Sequence, residues 1–181
     1  MSSQVGVACF KEASVQGEAT FHRVRGGVRI VAQFSKLPPG EHGFHIHRAG
    51  DLRGDGCMGA CEHYHTGPAA SHGGPPSSHG QRHTGDLGNI VQGKRYAFFL
   101  PQTGLSDLFG RSLIVHADKD DLGEGSHEDS KTTGHSGARI GCAIIGRART
   151  CERPPIKTRK VSKGSKGSKT KRSPSFSLST E

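Results

Sequence analysis

The chain has 181 residues and a mass of 19.2 kDa, with 27 glycines, 9 prolines and no tryptophan, enough for one domain but poor in material for long helices. No apolar run approaches the ~18 residues of a membrane span, and the first residues lack the basic start and apolar stretch of a secretion signal, so membrane and secreted readings fall away and a cytoplasmic location is expected. The net charge of +9 is a tail property: residues 1–146 hold 14 basic and 14 acidic side chains, whereas 147–181 hold 11 basic and 2 acidic.

Residues 5–10 and 18–22 read as short strands. Residues 28–34 give a clearer signal, because Val28, Ile30, Ala32 and Phe34 alternate with Arg29, Val31 and Gln33. A period of two suits a sheet with one buried face. Arg25-Gly26-Gly27 before this segment is a turn signal, and Leu37-Pro38-Pro39-Gly40 closes it. Residues 43–47 form a further short strand. Residues 48–85 are rich in glycine and proline and show no periodicity, and a loop of that length is usually functional or disordered. Strands follow at 86–91, 96–100, 113–116 and 140–145, with a second long polar loop over 118–138. The expected class is all-β: an antiparallel Greek-key barrel or sandwich, immunoglobulin-like, with two long functional loops.

From Arg147 the composition changes. The run Ser162-Lys163-Gly164-Ser165-Lys166-Gly167-Ser168-Lys169-Thr170 has no apolar pattern and cannot bury enough surface to offset its ordering entropy. The expected organisation is a domain over 1–151 and a disordered basic tail over 152–181.

Five cysteines, an odd count without a signal-like start, argue against a secreted disulfide framework, and composition alone favours free thiols. Histidine is the unusual residue: ten of twelve fall between His42 and His127. His45 and His47, two apart on a strand, project from one face and can serve one ion. Downstream lie His63, His65, His72, His79 and His83, with Asp86 three residues beyond His83, and His116 ends a strand. Imidazole suits copper and zinc, and a carboxylate joining imidazoles suits a closed tetrahedral zinc site. Spacing alone leaves the partition of ligands between ions open.

Gly43-Phe44-His45-Ile46-His47, Ser71-His72-Gly73-Gly74-Pro75, Arg82-His83-Thr84-Gly85-Asp86-Leu87-Gly88-Asn89, His116-Ala117-Asp118 and Gly137-Ala138-Arg139-Ile140-Gly141-Cys142 occur in that order. Together they resemble the signature segments of the Cu/Zn superoxide dismutase family over about residues 5–146. The resemblance implies copper on His45, His47, His63 and His116. It implies zinc on His63, His72, His83 and Asp86, with His63 bridging and acting in catalysis. Asp120 is implied as the carboxylate linking a copper histidine to a zinc histidine, Arg139 as the catalytic anion-docking residue, and Cys57–Cys142 as a disulfide. The implied activity is dismutation of superoxide to O2 and H2O2 by alternate reduction and re-oxidation of copper, in a homodimer without membrane contact. Lys131, Glu128 and Asp129 sit on the loop implied to shape the field around the site.

Departures from the pattern are few. The stretch between Asn89 and His116 is about seven residues shorter than in many members, and the one before Cys57 about one longer. Cys61 is an additional cysteine, His65 and His79 match no ligand position, and His135 stands where asparagine is common. Two other readings remain. One is a metal-binding homologue without turnover, although all four copper ligands and Arg139 are present. The other is nucleic-acid or polyanion association through the tail, accessory to a neutral body.

Overall fold

The computed structural model describes residues 5–53, 56–68 and 71–149. Two antiparallel sheets face each other. The strands in chain order are β1 (Val5–Lys11), β2 (Gln16–Val24), β3 (Gly27–Lys36), β4 (His42–His47), β5 (Asp86–Ile90), β6 (Arg95–Pro101), β7 (Ser112–His116), β8 (Arg139–Ile144) and the short β9 (Gly146–Arg147). One sheet has the order β6-β3-β2-β1-β9 and the other β5-β4-β7-β8. Strand β4 pairs with β5 and β7 rather than with β3, the crossing expected of a Greek key. The protein is therefore an all-β Greek-key barrel with two long loops. No helix among the described residues is long and apolar enough to cross a membrane.

The alternation in β3 does what its period requires. Val28, Ile30, Ala32 and Phe34 are fully buried, while Arg29 and Gln33 are exposed. Ala19 and Phe21 of β2 join them, and Phe44, Ile46, Leu113 and Val115 arrive from the facing sheet. Phe34 and Phe44 meet edge-to-face at 5.5 Å, linking the sheets across the core. Each such side chain is worth ~1.5–3 kcal/mol when buried.

Four elements depart from the sequence reading, the first a short 3-10 turn over Gly56–Ala60 inside the first long loop. A single helical turn, α1 (Leu105–Leu108), buries Leu105 and Leu108; another, α2 (Ser130–Thr133), interrupts the second long loop. Strand β9 pairs with β1 and closes that sheet edge. Strands β2 and β3 also run longer than the sequence suggested. Val24 pairs with Gly27 across a two-residue turn, where Gly26 adopts φ 83°, a left-handed conformation that glycine takes without strain.

The disulfide Cys57–Cys142 joins the first long loop to β8, with a Cα–Cα distance of 5.7 Å and a sequence separation of 85. A loop of this size stabilises by roughly 4–5 kcal/mol on chain-entropy grounds. Free thiols would have been the commoner outcome; proximity on the folded barrel decides otherwise. Cys9 and Cys61 are free and exposed among the described residues. The tail over 152–181, and Cys151, lie outside them.

Candidate metal centre

All six residues of β4 are buried, so burial does not distinguish its two faces. The strand's own geometry does: Phe44 and Ile46 enter the barrel core, which sends His45 and His47 to the other side. There the two long loops cover them. His47 bridges to His63 of the first loop, and the far end of β7 brings His116. His72, His83 and Asp86 complete a second group that shares His63.

Two clusters of candidate ligands result: His45, His47, His63 and His116, then His63, His72, His83 and Asp86, with ligand atoms within 4.8 Å of one another in each. A fit to metal can be tested on the ring nitrogens. His45 Nε2 donates to Asp120 Oδ2 at 2.8 Å, and His47 Nδ1 to the Cys61 carbonyl at 2.8 Å. His116 Nδ1 donates to the Gly137 carbonyl at 3.1 Å, and His72 Nε2 to Asp120 Oδ1 at 2.8 Å. His63 Nδ1 faces Asp86 Oδ1 at 2.8 Å. The remaining nitrogens, His45 Nδ1, His47 Nε2, His63 Nε2, His72 Nδ1, His83 Nδ1 and His116 Nε2, are buried without a hydrogen-bond partner. An unpartnered buried polar atom costs ~1–3 kcal/mol, so six in one place call for a ligand. A ring that donates through one nitrogen presents a lone pair on the other, as a metal ligand must. The residues fit two ions.

A third group, His45, His72 and Asp120, also converges. Both of its facing ring nitrogens already donate to the carboxylate, so it links the clusters rather than forming a third ion site. Asp120 is held in turn: its N–H donates to Asn89 Oδ1 and its carbonyl accepts from Asn89 Nδ2, both at 2.8 Å. Gly134 covers the link at φ 71°, and a Cβ there would lie 2.0 Å from Asp120 Oδ1 and 2.4 Å from His72 Nε2. Asp86 is fixed by N–H donors from Gly73 at 3.0 Å and His83 at 2.8 Å on Oδ2, which leaves Oδ1 toward the histidines. Asn89 and Gly134 carry no signal of their roles in the sequence, because Asp120 is distant from both in the chain; Arg82, whose Nη2 donates to the Asp86 carbonyl at 2.5 Å, is close in sequence to its partners but bonds their backbone, which no side-chain pattern marks.

Electrostatics favour the neutral, ligating rings. Burial, reinforced by His63, holds His45 and His47 well below the ordinary histidine value; burial also lowers His63, against the pull of Asp86. Burial takes His116 down to about 4. For His72, burial is outweighed by the hydrogen bond to Asp120 and the Asp86 carboxylate beside the ring, which lift it to about 9. Asp86 is held well below the carboxylate range, the His63 hydrogen bond and the His72 and His83 rings beside it overcoming its burial. The metal-free protein should therefore be most stable near pH 6.5, losing stability on both sides. The depressed histidines contribute stability that is full above their unfolded value near 6.5 and lost as pH falls toward the folded value, about 4 for His116. The His72 contribution is full below 6.5 and lost as pH rises through about 9. Urea midpoints of the chelated protein across pH 4–10 check this; a midpoint independent of pH would contradict it.

Arg139, opposite His116 in the β7–β8 register, is half-buried beside the four-histidine cluster. Its guanidinium donates to the carbonyls of Cys57 at 2.7 Å, Met58 at 3.2 Å and Cys61 at 2.6 Å. The disulfide holds that loop against β8, so it also fixes Arg139. In the second loop, Lys131 is exposed on α2 with its Nζ on the Gly123 carbonyl. Asp129 is bonded to His135 Nδ1 at 2.7 Å, and Glu128 is exposed. His135 has φ 48°, a left-handed conformation that, glycine aside, asparagine and aspartate visit most routinely. His79 is exposed, and His65 joins neither cluster.

The profile of the copper/zinc superoxide dismutase (SODC) family matches residues 15–145. "Superoxide dismutase [Cu-Zn]" of Paramecium bursaria Chlorella virus 1 is 42% identical over 157 residues, covering 82% of each chain. "Superoxide dismutase [Cu-Zn] 3" of Arabidopsis thaliana is 42% identical over 130 residues, covering 68% of this chain and 77% of its own. A crystal structure of the clock protein EA4 superposes with a TM-score of 0.68 at 34% identity, over 81% of this chain and 96% of that one.

Proposed function

Because the chain belongs to the copper/zinc superoxide dismutase family, we propose that His45, His47, His63 and His116 hold copper, that His63, His72, His83 and Asp86 hold zinc, and that His63 bridges the two. The protein is an oxidoreductase that takes two superoxide anions and two protons to O2 and H2O2, with copper and zinc as cofactors. The six buried, unpartnered ring nitrogens carry the ligand assignment.

When bound, copper supplies the one-electron redox couple and zinc a fixed positive charge. The chain's own groups do the rest. His63 Nε2 takes up one proton in the half-cycle that releases O2 and gives it to peroxide in the other. Asp120 keeps the His45 and His72 rings from rotating as charge changes beside them, which keeps the rearrangement in each half-cycle small. Arg139 docks the anion next to His116, and its carbonyl partners fix the guanidinium so that little ordering is needed on arrival. Diffusion then limits the rate, near ~10⁸–10⁹ M⁻¹s⁻¹, a ceiling that superoxide dismutases are known to reach. Activity should vanish on chelation and return with copper and zinc together; full dismutase activity in a copper-free preparation would refute the reading.

Two further readings concern contacts. Met58 and Ile144, 64% and 46% exposed, flank the Cys57–Cys142 bridge and support a homodimer through this face. Nine basic residues between Arg153 and Arg172, in a serine- and glycine-rich background, support binding of nucleic acid without sequence preference and with steep salt dependence. The two are separable. The full chain should sediment at twice 19.2 kDa and be retained on DNA at low salt. Truncation after Cys151 should keep the dimer, the metals and the specific activity but lose retention. A full chain not retained at low salt would leave the tail inert, and a monomer at micromolar concentration would end the dimer reading.

A further inference from the structure

His65 lies two residues beyond His63, inside the loop that carries the zinc ligands, yet belongs to neither cluster. Its hydrogen bonds say why. Nε2 lies 2.7 Å from the Pro68 carbonyl oxygen, so Nε2 carries the proton and donates it. Nδ1 is then a bare lone pair, and it accepts from the Thr84 N–H at 3.2 Å, with the Thr84 hydroxyl 3.4 Å away. A neutral imidazole has one donor and one acceptor, and both are engaged. No lone pair remains for an ion.

The contacts close a clasp at the two feet of the loop. The Gly85 N–H donates to the Tyr64 carbonyl at 2.8 Å, one backbone rung. At the next rung the Thr84 N–H meets the His65 ring in place of a backbone carbonyl. Thr66 adds its N–H and hydroxyl to Thr84 Oγ1, at 3.3 and 3.2 Å. The ligands flank the clasp: His63 precedes one foot, and His83 and Asp86 bracket the other. The His65 ring also stands edge-on to that of His83, with centroids 5.8 Å apart at 71°, limiting its rotation.

We propose that His65 is a positioning residue that keeps the zinc loop shut, clipping Thr84 to Pro68 so that His63, His83 and Asp86 stay convergent, and thereby slows the departure of zinc without binding it. The proposal rests on the zinc assignment made above. Alanine at 65 removes both hydrogen bonds and leaves the Tyr64–Gly85 rung as the nearest backbone tie. Glutamine can restore them, its carbonyl accepting from Thr84 and its amide donating to Pro68.

The test is the rate at which zinc and copper pass from the fully loaded protein to a strong chelator, compared among wild type, His65→Ala and His65→Gln. His65→Ala should release zinc roughly five- to tenfold faster, the effect of losing one or two hydrogen bonds. Its copper release should stay within about twofold of wild type, and His65→Gln should return zinc release most of the way. With cobalt in place of zinc, the visible spectrum of His65→Ala should match wild type. Equal zinc release from wild type and His65→Ala overturns the proposal. Faster release of both metals does so too, because it marks general loosening, and an altered cobalt spectrum does so by making His65 a ligand. A wild-type protein that retains no zinc removes the zinc assignment itself, a failure distinct from these.

Discussion

Replacing His63 with alanine is expected to lower dismutase activity by about 10²–10⁴-fold, the range a positioned acid–base group supplies. His63 is the one side chain common to both ligand clusters, with an unpartnered Nε2 toward one and Nδ1 at 2.8 Å from Asp86 in the other. On the proposed assignment, alanine removes the proton carrier and takes one of four ligands from each ion. The copper group keeps three imidazoles and should still bind. The zinc group keeps two imidazoles and a carboxylate and should bind zinc less tightly. Metal analysis after dialysis, with steady-state activity, checks both parts. His116→Ala should instead lose copper chiefly, because it belongs to one cluster alone. Near-normal activity in His63→Ala would remove the proton-transfer role.

The second large effect concerns Arg139. Arg139→Ala should lower activity roughly tenfold or more at low ionic strength, within the range that electrostatic steering supplies; superoxide dismutase is itself a known case of such steering. The metal content should not change, and the dependence on salt should flatten. The three carbonyls that hold the guanidinium make a second comparison necessary. Lysine keeps the charge but cannot span three acceptors with a planar fork. If charge alone matters, Arg139→Lys recovers most of the activity; if the fixed orientation matters, it recovers only part. The disulfide continues to tether the loop, so neither variant should unfold. Copper loss from Arg139→Ala would make the residue structural.

Much of this architecture is legible in the sequence, and what is not has physical causes. Strand β3 announces itself because one face is buried and the other wet. Strand β4 is also read from the sequence, but its two sides are not told apart by burial, since loops cover the face that the core leaves free, and only the spacing of His45 and His47 hints at them. The turns α1 and α2 contain four residues each, too few for any helical period. The first is marked only by Leu105 and Leu108 three apart, and by Gly104, whose N–H meets Asp107 Oδ2 at 3.1 Å. Strand β9 exists through its pairing with β1, a contact more than 130 residues distant in the chain. The ligand loops are the extreme case. Nothing in the periodicity of residues 48–85 distinguishes His63 and His72 from His65 and His79; the resemblance of surrounding segments does. The hydrogen bonds that separate His63, His72 and His65 in three dimensions run to Asp86, Asp120 and Thr84, all distant in the chain, and only the one from His65 to the Pro68 carbonyl is local.

Anomalous diffraction from crystals of the loaded protein, collected on both sides of the copper and zinc absorption edges, tests the central assignment most directly. The account predicts two peaks, one on each side of the His63 imidazole. Copper should lie among the unpartnered nitrogens of His45, His47, His63 and His116, and zinc among His63, His72, His83 and Asp86. A single peak, or a second ion bound by His65 or by exposed residues away from His63, would contradict it.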